Sequence, residues 1–186
     1  MIVEILDAAW EIARTDGLAG LSLRDLAAKI GMRPPSLYWY FDSKLAIYDA
    51  MFVQGNKQLL ARITEQEWPA DPREALRVGA RLFVDFSMED VQRYQLLFLR
   101  TIPNFEPSAD AYAVAMQVYE QMRDRFAAAG LGGPTAFDIW TALVSGLSAQ
   151  QIANDPAGDR WLRLIDEVVD MYIDHVTAPP KRRKDS

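Results

Sequence analysis

The sequence predicts an all-α protein. Apolar residues recur at helical spacing along nearly its whole length, no segment reads as a credible strand, and helix-start and helix-stop residues bracket the periodic stretches. The pattern gives about nine helices without an internal repeat. Three short helices, tightly connected, precede six that are mostly long, so a small N-terminal unit is expected on a larger helical body.

The first helix places Ile2, Ile5, Leu6, Ala9, Ile12 and Ala13 on one face, with Gly17 as its stop. Ser22 and Asp25 form a capping box for the second, whose apolar positions are Leu23, Leu26, Ala27 and Ile30. Gly31 ends it, because glycine takes the left-handed conformation just past a helix at no steric cost. Pro34 and Pro35 fit only the first turn of a third helix, where their missing N–H groups would have been unpaired anyway. That helix is expected to finish near Phe41. Asp42 and Ser43 then start a long fourth helix reaching Trp68, closed by Pro69. Asp71-Pro72-Arg73-Glu74 is a strong start for a fifth helix running to about Ser87. A sixth covers Glu89 to Arg100, and residues 101–107, with two prolines, form a loop. Ser108 caps a seventh helix ending at Gly130, and Gly132-Gly133-Pro134 is a clear break. The eighth runs from about Thr135 to Asn154, the ninth from Pro156 or Gly158 to Thr177. The tail PPKRRKDS is polar, basic and expected to be flexible.

The chain has 186 residues, half of them hydrophobic and a quarter charged, enough to bury a real core. No run of 18 apolar residues and no charged-then-apolar N-terminal signal occurs. The absence of cysteine excludes a disulfide framework and thiolate metal sites and fits a reducing cytoplasm. Nucleotide-binding glycine motifs, zinc-protease motifs and nucleophile elbows are all missing. The single histidine, His175, sits near a helix end, where the helix dipole favours it, and not beside a nucleophile. No enzyme, cofactor or metal site is expected. A net charge of -6 argues against a polyanionic partner, so any nucleic-acid reading must rest on local charge.

That local reading lies between Leu21 and Lys44. Two short helices joined by a Gly-containing turn describe a helix-turn-helix, whose second helix can lie in the DNA major groove. Leu37 and Phe41 point back to the core, which leaves Pro35, Ser36, Tyr38, Trp39 and Tyr40 at the outer surface. Ser22, Arg24, Leu26-Ala27, Gly31, Leu37-Tyr38, Phe41 and Lys44 stand where the DNA-binding signature of the TetR family of bacterial transcription regulators has its T-x-R-x-[IL]-A, its turn glycine, its L-Y-x-x-F and its lysine. The stretch closely resembles that signature, and its Pro-Ser-Leu-Tyr-Trp run is especially like the tetracycline repressors.

The resemblance implies a DNA-binding role for Arg24, Arg33, Pro34, Pro35, Ser36, Tyr38, Trp39, Tyr40 and Lys44. Arg24 would read a guanine, the aromatic rings would pack on thymine methyls and sugars, and Lys44 would hold a phosphate. Three departures matter. Arg33 replaces the Ser N-cap often found there, two prolines stand where a polar reader is common, and the chain starts directly at the first helix without a basic arm. Residues 1–52 carry five bases against seven acids, a net of -2, and four of those bases lie between Arg24 and Lys44.

The resemblance further implies a homodimer in which the last two helices pair with their counterparts in a second copy. Ile139, Leu143, Gly146, Leu147 and Gln150 run at helical spacing, as do Leu164, Val168, Met171 and Tyr172; packing within one chain is the other reading. It also implies an effector pocket in the body, with Phe83, Phe86, Tyr94, Phe98, Phe105, Tyr112, Met116, Tyr119 and Trp140 as candidates and a small apolar molecule as ligand. The expected domains are 1–43 for DNA, 44–178 for effector and dimerisation, and the tail 179–186. The function expected is that of a ligand-responsive repressor leaving a palindromic operator. A ligand-independent DNA-binding regulator, or a carrier or enzyme whose N-terminal unit is idle, remains an alternative.

Overall fold

The computed structural model describes residues 1–131 and 133–178; the basic tail and Gly132 lie outside them. Among the described residues there are nine α-helices and no strand. They are α1 (Ile2–Gly20), α2 (Leu23–Lys29), α3 (Pro34–Leu37), α4 (Lys44–Glu65), α5 (Pro72–Glu89), α6 (Val91–Phe98), α7 (Ala109–Ala128), α8 (Pro134–Asn154) and α9 (Ile165–Thr177). The all-α class is as the sequence predicts.

The described residues form two compact units, one from Met1–Gln66 with Phe86–Tyr119, the other from Glu67–Asp85 with the described chain from Glu120 onward. The boundary expected at 43/44 falls inside the first. That unit is built round α1, whose buried Ile5, Ala9, Trp10, Ile12 and Ala13 pack with Leu26 and Ala27 of α2, Leu37 of α3, and Ile47, Tyr48, Met51 and Phe52 of α4. Two polar ties add direction to this apolar core. Trp10 Nε1 donates to Gln54 Oε1 at 2.7 Å, and Arg14 Nε donates at 2.9 Å to Asp90, the buried N-cap of α6.

The second unit has an aromatic core in which Phe126 lies edge-on to Phe137 at 4.9 Å and Trp140 meets Tyr172 at 5.2 Å. The Tyr172 hydroxyl donates to Ala136 O at 2.9 Å. On α5, Arg73, Arg77 and Arg81 recur one turn apart and meet Asp166, Asp170 and Asp174, likewise one turn apart on α9.

Several helix ends differ from the sequence expectation. α4 stops at Glu65, three residues before Trp68, as Gln66 turns extended (ψ 127°). The released Trp68 lies against Gly79 and under the Arg125 guanidinium, 4.5 Å from its ring. α6 is shorter at both ends, since Asp90 accepts the Arg93 amide as N-cap and Leu99 is extended. The last helix begins at Ile165, after a single 3-10 turn, and not at 156–158. The reason is Gln151, buried near the end of α8. Its amide donates to Gly158 O at 3.0 Å and accepts the Trp161 N–H at 2.9 Å, holding residues 155–161 as a loop.

Candidate nucleic-acid interface and apolar cavity

The interface grows from four local devices. Ser22 Oγ accepts the Asp25 amide at 3.1 Å and starts α2. Gly31, at φ +67°, ends it in a Schellman motif: Met32 N donates to Ala27 O at 2.8 Å, and Gly31 N to Ala28 O at 3.2 Å. Pro34 and Pro35 open α3, where Arg33 supplies no side-chain cap. Ser43 Oγ then accepts the Ala46 amide at 3.1 Å and starts α4.

α3 does not continue as a regular helix to Phe41. With two prolines at its start it keeps one turn, and tighter bonds carry the chain onward: Tyr40 N to Leu37 O at 2.9 Å and Trp39 N to Ser36 O at 3.4 Å. Leu37 and Phe41, four residues apart, are buried and pin both ends of this turn. The side chains between them therefore face outward, Tyr38 55%, Trp39 88% and Tyr40 40% exposed. Arg33, Pro34 and Pro35 are exposed and Ser36 half-buried. The Arg24 side chain is 86% exposed, with its Nε 3.6 Å from Asp25.

Lys44 is placed differently. Its Nζ donates to Ala19 O at 3.2 Å and lies 5.5 Å from the Tyr48 ring centre. One turn along α4, the buried Tyr48 hydroxyl donates to Leu18 O. Gly17, at φ +76°, breaks α1; at its end the Leu18 carbonyl accepts the Leu21 amide at 3.3 Å as well as the Tyr48 hydroxyl, and α4 also supplies Lys44 to the Ala19 carbonyl. Burial pushes the Tyr48 phenol up to about 12. Sequence reasoning passed over Tyr48 and gave Lys44 to phosphate; the only signal was their i, i+4 spacing at the start of the fourth helix.

α4 also holds the loop that precedes α7. Asp49 accepts the Ser108 amide and hydroxyl, each at 2.7 Å, while Ser108 Oγ accepts the Ala111 amide and caps α7. Between α4, the end of α6, this loop and the start of α7 lies a cavity of about 370 Å³. Phe52, Leu96, Phe98, Ile102, Phe105 and Tyr112 line it, with Arg100 and Glu106 paired at 3.7 Å.

Of the nine pocket candidates, Phe98, Phe105 and Tyr112 thus come together. Phe86 and Tyr94 are buried in the first unit, Phe86 with the Arg93 guanidinium 3.7 Å from its ring centre, and Trp140 is buried in the second. Phe83, Met116 and Tyr119 are half-buried. Of the dimer candidates, Leu147 and Tyr172 belong to the second unit's own core. Gly146, Gln150 and Met171 are exposed, and Ile139, Leu143, Leu164 and Val168 half-buried.

Residues 5–51, which span the whole helix-turn-helix, match the family model of bacterial regulatory proteins of the tetR family. The likeness to the TetR family is shown over this N-terminal stretch. An uncharacterized HTH-type transcriptional regulator of Bacillus subtilis, YobS, is 33% identical over 96 residues, covering 52% of this chain and 50% of that protein. The class D tetracycline repressor protein of Escherichia coli is 39% identical over 66 residues, 36% of this chain and 28% of the repressor. The chain therefore matches half or less of the length of these relatives. A solved TetR-family regulator of Thermus thermophilus, PfmR, has the same fold over 92% of this chain and 96% of its own, at 24% identity and a TM-score of 0.62. Among the described residues no helix is long and apolar enough to cross a membrane.

Proposed function

We propose that this protein is a homodimeric, ligand-responsive repressor of the TetR family, active in the cytoplasm, that binds a palindromic operator. The observation that carries the reading is the outward Tyr38-Trp39-Tyr40 run, held between buried Leu37 and Phe41 within the stretch that matches the family's model. A soluble protein gains nothing for its fold by exposing 88% of a tryptophan. On DNA those rings meet thymine methyls and sugars, Arg24 reaches a guanine edge, Arg33 meets phosphate, and Pro34, Pro35 and Ser36 line the groove. Residues 1–43 are the DNA-binding domain and 44–178 the effector and dimerisation domain. Two copies pair through the outer faces of α8 and α9, with Gly146 at the closest approach and Ile139, Leu143, Gln150, Leu164, Val168 and Met171 around it. Pairing places two recognition elements about 34–36 Å apart, one turn of duplex, or at a near multiple. A small apolar effector then favours a dimer geometry that no longer fits, with α4 as the lever.

Selection of duplexes from a random pool by the purified protein, with Arg24→Ala in parallel, tests this directly. A palindromic consensus that the variant loses supports the regulator and fixes the half-site spacing. Absence of any consensus at moderate salt rejects it.

A further inference from the structure

Resting on the regulator reading, we propose that Asp25 is a positioning residue for base recognition: it holds the Arg24 guanidinium by its Nε edge and leaves the two Nη groups free for a guanine. It thereby sets specificity above general affinity for DNA. Neighbouring residues on a helix do not ordinarily face one another. That Arg24 Nε nevertheless lies 3.6 Å from Asp25 Oδ1 follows from the cap of α2. Ser22 Oγ accepts the Asp25 amide at 3.1 Å and donates its own proton to Asp25 Oδ2. The hydroxyl draws one carboxylate oxygen back over the first turn and leaves the other turned to Arg24. The carboxylate is thus fixed from the backbone outward, beside an arginine whose side chain is 86% exposed and has little protein surface to rest on.

Which donors remain is decided by the shape of the guanidinium. With its single Nε–H turned to Asp25, the planar fork still offers Nη1 and Nη2, and these span the O6 and N7 acceptors of guanine. In water the pair is weak, since both side chains are exposed. In a groove that excludes water the same separation counts for more, because the local dielectric is lower. Asp25 also has a cost there, for a carboxylate on the DNA face repels phosphate whatever the sequence. Ordering Arg24 for one base and opposing every duplex alike are effects of opposite sign on affinity, yet both widen the gap between the operator and other sites. The free chain already carries the mark of the pairing. The Asp25 carboxyl is held below the usual carboxylate range, first by the Ser22 hydroxyl, against the opposing effect of desolvation, and then by the Arg24 guanidinium.

The test uses the full chain and the operator selected from the random pool, with each guanine in turn replaced in both half-sites by 7-deazaguanine, which lacks the N7 acceptor. Salt is kept low enough for Arg24→Ala to bind. The informative guanine is the one whose replacement weakens the natural chain and not Arg24→Ala. There the natural chain is expected to bind the analogue about tenfold or more weakly, and Asp25→Asn only about threefold or less. The same variant should bind a duplex of unrelated sequence about twofold or more tightly than the natural chain does. Damage to the fold would weaken both duplexes. Asp25→Ser, which keeps a hydroxyl in the first turn without the charge, should repeat the result and serves if the asparagine variant does not fold. In the Arg24→Ala background, Asp25→Asn should leave discrimination unchanged, as it must if Asp25 acts through Arg24. Titration of the Asp25 carboxyl by carbon NMR gives a readout without DNA: Arg24→Ala should move its midpoint up. The proposal falls if no guanine behaves in this way, if Asp25→Asn discriminates as the natural chain does, or if it weakens the unrelated duplex. It falls equally if Asp25→Asn alters discrimination without Arg24, or if the carboxyl titrates alike with and without the Arg24 side chain. An operator found together with any of those results rejects this proposal alone. Failure to select any operator rejects the regulator reading and this proposal with it.

Discussion

Trp39 and Tyr48 sit nine positions apart and answer to opposite demands. Trp39 is 88% exposed and gives little to the fold, so Trp39→Ala is expected to leave unfolding free energy within about 0.5 kcal/mol. Operator affinity should nevertheless fall roughly tenfold or more, the loss expected when one groove contact worth about 1–3 kcal/mol is removed. Denaturant titration and fluorescence anisotropy on the same preparation separate the two effects, and unchanged affinity would remove the indole from the interface. Tyr48 is 1% exposed, and burial raises its pKa from 10 to about 12. Below pH 10 the phenol is protonated in both folded and unfolded chains, and its contribution to stability is complete. Above pH 10 the unfolded chain loses its proton first, so that contribution falls away as pH rises towards about 12. Tyr172 shifts in the same direction and to a similar value. Tyr48→Phe should therefore flatten the alkaline fall in stability without removing it. An identical pH profile in that variant would mean that the hydroxyl is not buried as described.

At the level of helices, what could be read from sequence was what the backbone enforces locally. Ser22, Asp71 and Ser108 cap as expected because each carries an oxygen that the amide three residues on can reach. Gly31 takes the left-handed turn that its position after α2 requires. The start of α9 was not legible, because the partner that keeps residues 155–161 out of a helix is Gln151, supplied by the preceding helix. The α5–α9 ladder was equally hidden, since nothing local pairs arginines at 73, 77 and 81 with aspartates at 166, 170 and 174 far along the chain. In the fold Asp170 accepts from Arg73 at 2.6 Å and from Arg77 at 2.8 Å, and those bonds, Arg73's first, hold its carboxyl below the usual carboxylate range. A lowered pKa gives stability that is present above about pH 4, the unfolded value, and is lost as pH falls through the folded value. Acid should accordingly lower the thermal midpoint of the natural chain more steeply than that of Asp170→Asn, which should start lower and change less. Parallel acid profiles would show that the ladder adds nothing measurable, as many exposed ion pairs do.

For the whole chain, composition set a puzzle that geometry sharpens. A protein of net charge -6 with a head of net -2 is a poor polyanion binder by total charge, and the fold leaves fewer free cations than the sequence suggested. Lys29 pairs with Glu11 at 2.8 Å and Lys44 with the end of α1, whereas Arg24, 86% exposed beside Asp25 at 3.6 Å, and Arg33 are the bases of this stretch most open to phosphate or base edges. The aromatic body residues show the same gap between inventory and placement. Their number was legible, but which three would face a cavity depended on where a loop and two helix ends met. Two arginines from each protomer give about four counterion-releasing contacts, and affinity should then vary with salt at a slope of about -4 on logarithmic axes. Arg33→Ala should reduce the steepness by about 2 for the dimer, whichever duplex is used, because a phosphate contact carries no sequence information. Trp39→Ala should leave the slope alone while weakening the selected operator relative to other duplexes. Titrations of both variants across a range of monovalent salt test this division of labour. A natural-chain slope steeper than about -9, that of a ten-phosphate binder, would show that Lys29 and Lys44 leave their protein partners on DNA and that charge, not the aromatic turn, carries the affinity.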